Sequence, residues 1–137
     1  MMSSAAGLGP LHVVDYSPGV CNIGPPEIAR RRMAGHLGLI VSVVVLAALV
    51  AAGLPHWTRL ILVLTAGVSA SGYLQAWFHF CAGFGSRGVY NFGPVGTVQE
   101  VADAANKARD RARSRQIGVI ALAIGVLVGV AAAMLPI

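Results

Sequence analysis

Two long apolar runs, each preceded directly by a basic cluster, constrain the fold of this chain more than any other feature. The first run follows Arg30, Arg31 and Arg32 and extends over residues 33–55 without a charge. The second covers residues 116–137 and follows Lys107, Arg109, Arg111, Arg113 and Arg115. About 20 apolar residues in a helix span a bilayer, and basic residues accumulate at the cytoplasmic ends of such helices. The pattern predicts an oriented integral membrane protein.

The composition agrees with a membrane protein and excludes an ordinary water-soluble domain. Hydrophobic residues make up 56% of the 137 residues and charged residues only 11%, whereas a soluble domain has about 25% charged residues. The net charge of +5 could indicate a nucleic-acid partner. Because the basic residues flank apolar runs instead of decorating a polar surface, we expect anionic lipid headgroups as the partner and no nucleic acid.

The predicted fold is an all-α membrane protein with three transmembrane helices and a cytoplasmic helix that leads into the third span. Pro25-Pro26-Glu27 is typical of a helix start, because proline is tolerated at the first helical position. Thr97 and Glu100 match a capping box, which predicts the start of the cytoplasmic helix. The predicted segments are an irregular arm 1–24, a helix with span one 25–54, span two 60–82, a Gly-rich aromatic loop 83–96, a basic helix 97–115 and span three 116–136.

The distribution of basic residues predicts the orientation. Nine of the ten flank one side of the predicted membrane region, and only Arg59 falls on the other. The positive-inside rule therefore predicts a multi-pass protein of the cell membrane with a cytoplasmic N-terminus and an external C-terminus. Residues 1–29 lack the pattern of a signal peptide, so we expect the first span to remain in the mature protein.

Four side chains at one predicted membrane depth form a candidate metal site: His36, His79, Cys81 and Cys21. Histidine and cysteine are the usual zinc ligands, and paired histidines on neighbouring helices hold haem. The spacing matches no known metal motif, and the competing interpretation is an interfacial histidine pair with two buried thiols. We therefore expect no cofactor, with zinc or haem, or thiol redox chemistry, as alternatives.

Small and polar residues in the spans predict helix-packing faces. Ser71 and Gln75 lie on one face of span two, where polar side chains in lipid often join helices. Span three carries small residues four positions apart, a spacing that lets two backbones approach closely. The partner helix is left open between span one, another copy and a foreign subunit. The small residues of span three are Ala121, Gly125, Gly129 and Ala133.

Arginines near the predicted cytoplasmic surface are candidates for binding lipid headgroups. They are Arg30, Arg31, Arg32, Arg87, Arg111 and Arg115. The spacing of Gly83, Gly85 and Gly88 also matches a dinucleotide-binding fingerprint. That motif needs a preceding strand and a following helix. Since a membrane helix precedes it here, we interpret the glycines as a tight loop.

Two sequence blocks together resemble a group of small, uncharacterised prokaryotic membrane proteins of actinobacterial type. The first block is Cys21-Asn22-Ile23-Gly24-Pro25-Pro26-Glu27-Ile28, and the second extends over 75–93 with Phe78-His79-Phe80-Cys81 and Asn91-Phe92-Gly93. The resemblance covers about a quarter of the chain and implies no activity. It implies only that the two blocks act as a unit, which we expect on the cytoplasmic face.

The leading prediction is that this chain is a non-catalytic accessory subunit or assembly factor of a larger membrane complex, for example a respiratory complex. No serine–histidine–acid arrangement is visible, and no carboxylate lies within a predicted span, so we do not expect an enzyme or a proton relay. Other membrane subunits or a second copy are the expected protein partners. The alternatives are a metal- or haem-binding membrane protein and a homo-oligomeric transporter or channel.

Overall fold

The computed structural model describes residues 16–137, and its three longest helical segments are long and apolar enough to cross a membrane. The prediction of three spans is confirmed at that level. The predicted irregular arm lies outside the described residues up to residue 15. The elements are helix α1 (Pro25–Ala51), a 3₁₀ helix (His56–Ile61), α2 (Leu62–Phe78), α3 (Ala82–Arg87), strands β1 (Val89–Tyr90) and β2 (Gln99–Glu100), and helix α4 (Ala104–Met134).

Helix α1 begins where the proline pair predicts, with Pro25 at its first position and Glu27 in its first turn. The helix ends at Ala51, a little before the predicted Leu54. Gly53 follows with φ of +66°, a backbone conformation that glycine adopts without steric cost. The chain therefore turns at once into the 3₁₀ helix that leads to α2.

The three spans pack through backbone contacts that only glycine permits. A Cβ placed on Gly72 of α2 would lie 2.6 Å from the nitrogen of Gly35 in α1, and one on Gly125 of α4 would lie 2.5 Å from the carbonyl oxygen of Val63 in α2. Helix α2 thus lies between α1 and α4. The small-residue face of α4 packs against span two, which was not among the partners left open by the sequence.

The segment predicted as a Gly-rich loop over 83–96 is more ordered than expected. Helix α2 ends at Phe78, and His79, with φ of +55°, is the C-cap residue that follows it. The short α3 begins three residues later. Strands β1 and β2 then form an antiparallel hairpin in which Val89 pairs with Glu100. The described part of the chain is therefore mostly helical, with one small hairpin that the all-α prediction did not include.

The predicted capping box at Thr97 and Glu100 is wrong, because Glu100 belongs to strand β2. The Thr97 hydroxyl bonds instead to Asn91 and to the Pro94 carbonyl. Helix α4 begins later, at Ala104, where the Asp103 carboxylate accepts bonds from the backbone amides of Ala105 and Asn106. The helix then continues without a break to Met134, so the predicted basic helix does lead directly into the third span.

Arg59, the isolated basic residue, caps the far end of α4. Its guanidinium donates to the carbonyl oxygens of Ala132 at 3.1 Å, Leu135 at 3.2 Å and Ile137. Only 2% of Arg59 is exposed. A cation at a helix C-terminus satisfies carbonyls that have no partner in the helix and opposes the helix dipole.

The other end of the bundle, called the basic end below, holds the start of α1, the end of α2 and the first half of α4. Residues 16–24, α3 and the hairpin also pack there. Ile23, Phe80 and Phe84 form part of its apolar core. The chain thus builds a folded cap on one end of three spans, and the polar side chains of interest concentrate in that cap.

Candidate functional site

The two sequence blocks that the resemblance treats as a unit are joined by Asn22. The Asn22 side chain accepts a bond from the Cys81 amide at 2.7 Å and donates to the Cys81 carbonyl at 3.2 Å. The Asn22 backbone bonds to the His79 carbonyl and to the Asn91 amide. Asn22 is fully buried, and a buried amide is stable only when its donors and acceptors are bonded. Asn22, which precedes α1, thus joins the end of α2 to the residue that follows β1.

Glu27 and Arg31 continue this network across α1. One carboxylate oxygen of Glu27 pairs with Arg31 Nη1 at 2.8 Å, one turn along the helix. The second carboxylate oxygen accepts a bond from the side-chain nitrogen of Asn91 at 3.0 Å. Arg31 Nη2 lies 2.8 Å from Cys81 Sγ, and its guanidinium lies over the Phe84 ring. Only 1% of Glu27 is exposed, and a buried carboxylate is destabilising unless it is paired and hydrogen-bonded in this way.

Asn91 uses its whole amide in this network. Its nitrogen donates to Glu27 and to the Pro94 carbonyl, and its oxygen accepts from the Gly93 amide and the Thr97 hydroxyl. Among the described residues, the buried side-chain nitrogen and oxygen atoms without a partner are Arg59 Nε and Thr65 Oγ1. Neither belongs to this network. We call the set Asn22, Glu27, Arg31, Cys81 and Asn91 the buried polar network.

A second buried carboxylate holds the N-terminal arm on α4. Asp110 is fully buried and accepts bonds from the Tyr16 hydroxyl and from the Gly19 amide, both at 2.7 Å. The Arg113 side chain donates to the Gly19 carbonyl. Burial raises the pKa of Tyr16 well above its usual value, and the hydrogen bond to Asp110 raises that pKa further. The phenol therefore stays protonated and keeps its bond to Asp110.

The four residues of the candidate metal site lie in separate contacts. Within residues 16–137, no group of three or more His, Cys, Asp and Glu side chains could hold a metal ion. His36 Nδ1 lies 2.7 Å from the Tyr73 hydroxyl, and His79 is exposed at the left-handed end of α2. Cys81 contacts Arg31, and Cys21 Sγ lies 3.7 Å from the Ile23 carbonyl. These four side chains therefore do not form a common group of ligands.

Most of the arginines predicted to bind lipid headgroups are exposed, with Arg31 as the exception. Arg31 is committed to Glu27, and 14% of its side chain is exposed. Arg87 is exposed but lies over the Phe84 ring. Arg30, Arg32, Arg111 and Arg115 are also exposed, and none of them has such a contact with another residue of the described range 16–137.

Of the polar residues predicted to join helices, Ser71 bonds within α2, and Gln75 also bonds to the start of α3. Gln75 donates to the backbone and hydroxyl oxygens of Ser71, and its own oxygen accepts from the Ala82 amide. The bond to Ala82 closes the turn between α2 and α3. Side chains join α2 to α1 at two other places: Ser69 donates to the Gly35 carbonyl at 2.7 Å, and the Tyr73 hydroxyl lies 2.7 Å from His36 Nδ1. In α4, Ala121, Gly125 and Gly129 are buried, and Ala133 is half-buried.

Sequence reasoning missed the two asparagines that organise the basic end. Both lie inside the blocks that carry the resemblance, which was the only available signal. An asparagine before a proline-initiated helix is usually interpreted as a turn residue, and nothing in the spacing connects Asn22 to Asn91. This chain matches no protein-family model, no curated protein and no solved structure.

Proposed function

We propose that this multi-pass membrane protein is a non-catalytic accessory subunit or assembly factor of a larger membrane complex. The basic end lies in the cytoplasm in this proposal, because nine of the ten basic residues belong to it and basic residues stay on the cytoplasmic side. The N-terminal arm is then cytoplasmic, and the far end of α4, with Arg59, lies outside.

The observation that carries the proposal is the structural use of both fully buried carboxylates. Glu27 places one oxygen on Arg31 and the other on Asn91. Asp110 places one oxygen on Tyr16 and the other on Gly19. A catalytic or proton-carrying carboxylate needs access to its substrate or to water. These two instead fasten separate segments of the chain to each other, which fits a rigid adaptor.

Helix α1 offers the largest face to a partner subunit. In the most apolar stretch of α1, 11% of the residues are buried within the chain, compared with 28% in the corresponding stretch of each of the other two spans. The small residues that let helices approach closely are used between α1, α2 and α4 of the same chain. A partner would therefore contact the larger apolar side chains of α1, among them Ile40 and Val44, which are about half exposed or more.

The test is purification of the tagged chain at its native level in several mild detergents. We expect the chain to elute with larger membrane proteins at a fixed ratio. Ile40→Trp on α1 should release it, whereas Leu127→Trp, at a position of α4 that is more exposed than Ile40, should not. A chain that elutes alone and monodisperse in every detergent would contradict the proposal.

The two alternative functions are not advanced. No group of ligands suitable for zinc occurs in residues 16–137. Two polar side chains of span two that a pore could use, Ser71 and Gln75, bond to each other, and Gln75 also bonds to the Ala82 amide. Neither a cofactor site nor a polar path across the bundle is therefore favoured by a specific observation.

A further inference from the structure

Two adjoining cavities lie along the outer surface of the bundle, between α1 and α2 near the basic end. The upper cavity has a volume of about 400 Å³ and contains Arg32, His36 and Trp77 in its lining. The lower one has a volume of about 370 Å³. Tyr73 and Leu74 line both cavities, so the two are parts of one cleft. Its size is that of an ordinary small-ligand site.

The upper part of the cleft is suited to an anion. Arg32 is exposed, and among the described residues it has no carboxylate partner, because Glu27 of the same helix is held by Arg31 and Asn91. The Tyr73 hydroxyl lies 2.7 Å from Nδ1 of His36. When that hydroxyl donates to Nδ1, Nε2 carries the ring proton and is a donor. A guanidinium and an imidazole N–H are thus available together.

The lower part of the cleft is suited to an apolar chain. Its lining comes from all three spans and includes Leu39 of α1, Ala70 of α2, and Ile124 and Val128 of α4. Alanine at position 70 leaves room that a larger side chain would fill. Trp77, which is 80% exposed at the upper end, is typical of the level of lipid headgroups. The polar part therefore lies at the membrane surface and the apolar part deeper.

We propose that this cleft binds one anionic phospholipid, with its phosphate at Arg32 and His36 and an acyl chain between Leu39, Ala70 and Val128. Arg32, which has no carboxylate partner within residues 16–137, favours an anionic over a neutral amphiphile, since basic pockets between membrane helices bind anionic headgroups. This site is independent of the accessory-subunit proposal, because it needs no protein partner.

The headgroup is tested by titrating the delipidated full chain with phosphatidylglycerol, or with phosphatidylcholine of the same acyl chains, and counting bound lipid by native mass spectrometry. We expect one phosphatidylglycerol per chain, bound about tenfold more tightly than phosphatidylcholine, because Arg32 repels the choline cation that lies beside the phosphate in phosphatidylcholine. Arg32→Gln should abolish this preference. Arg30→Gln, at a neighbouring exposed arginine that does not line the cleft, should retain it.

The acyl-chain position is tested separately with Ala70→Phe, which fills the lower cavity. This variant should lose binding of both lipids, whereas Leu122→Phe on the exposed face of α4 should bind them normally. Inorganic phosphate at millimolar concentration should not displace the lipid, because it lacks the acyl chain. Displacement by phosphate would replace the lipid site with a simple anion site. Circular dichroism establishes that each variant is folded.

Three further results would overturn the proposal. Equal retention of the two lipids would remove the role of charge, and equal losses in the Arg30 and Arg32 variants would indicate a general surface attraction. Recovery of a neutral isoprenoid quinone at one per chain, instead of a phospholipid, would assign the cleft to another ligand. Because Arg32 is exposed and its replacement does not disturb the core, the first two comparisons remain informative even if Ala70→Phe fails to fold.

Discussion

The Nη2 atom of Arg31 lies 2.8 Å from Sγ of Cys81, which joins two side chains 50 positions apart. The other guanidinium nitrogen bonds to Glu27, so Arg31 connects the carboxylate and the thiol. Only 5% of Cys81 is exposed. A reagent therefore reaches this sulfur only after the Arg31 contact opens.

The two cysteines should differ in reactivity. We expect a maleimide to label Cys21, which is half-buried, about a hundredfold faster than Cys81, as for a thiol that reacts only after a local opening of about 3 kcal/mol. Arg31→Gln should accelerate labelling of Cys81 and leave that of Cys21 nearly unchanged. Mass spectrometry of labelled peptides measures both rates. Equal rates in the unmodified chain would show that Cys81 is not protected.

Asn91 should contribute more to stability than any exposed polar residue of the hairpin. Asn91→Ala removes the amide that bonds to Glu27, and leaving a buried charged acceptor without its donor costs about 3 kcal/mol. Thermal unfolding in detergent measures the loss. Gln99→Ala, in the exposed strand β2, is the matched control and should have little effect. In a double-mutant cycle with Glu27→Gln, additive losses would mean that the two side chains are not coupled.

The glycines of α4 should differ according to what lies opposite them. Gly125→Ala places a methyl group against the Val63 carbonyl, and overpacking of this kind costs about 1–3 kcal/mol. Gly118 has nothing within 4 Å of an added Cβ, so Gly118→Ala should be neutral or slightly stabilising. Unfolding temperatures of the two variants provide the comparison. Equal effects would contradict the packing of α4 on α2.

The true start of α4 can be tested with a pair of acidic residues. Asp103→Ala removes the carboxylate that accepts two helix amides, and loss of an N-cap costs about 1 kcal/mol. Glu100→Ala should have almost no effect, because Glu100 is an exposed strand residue. Helical content and the free energy of unfolding measure the difference. A larger effect at Glu100 would restore the capping box.

These contrasts show which parts of the structure a sequence can predict. The spans and the start of α1 followed from apolar length and from Pro25-Pro26, which are local properties. Position 97 was misassigned because its hydroxyl bonds to Asn91, a tertiary contact that competes with capping. Similarly, Arg59 was interpreted only as an external charge, since its partners lie 73 or more positions along the chain.

The candidate site was less predictable than the fold. Residues predicted at one membrane depth were considered as an alternative metal site, but depth does not specify which way each side chain points around its helix. His36 pairs with Tyr73 and Cys81 with Arg31, and neither pairing follows from helical spacing. The two blocks did meet, as the resemblance implied, through asparagines that no chemical motif had singled out.

Alkaline pH should release the N-terminal arm. The pKa of Tyr16 is raised in the folded chain, so the folded state holds the phenolic proton when an unfolded tyrosine, with a pKa of about 10, has lost it. Stability from this contact is complete below pH of about 10 and declines as the pH rises above it. Unfolding temperatures measured towards higher pH should fall less steeply for Tyr16→Phe. Identical slopes would exclude this contribution.

The cap that Arg59 provides also has a consequence for the order of membrane insertion. During synthesis, this arginine emerges 73 residues before Ala132 and 78 before Ile137, whose carbonyls it binds. The α1–α2 hairpin therefore enters the bilayer with a charged residue that has no protein partner and must remain hydrated. Only arrival of the third span removes that charge from water. The third span thus completes the hairpin that preceded it.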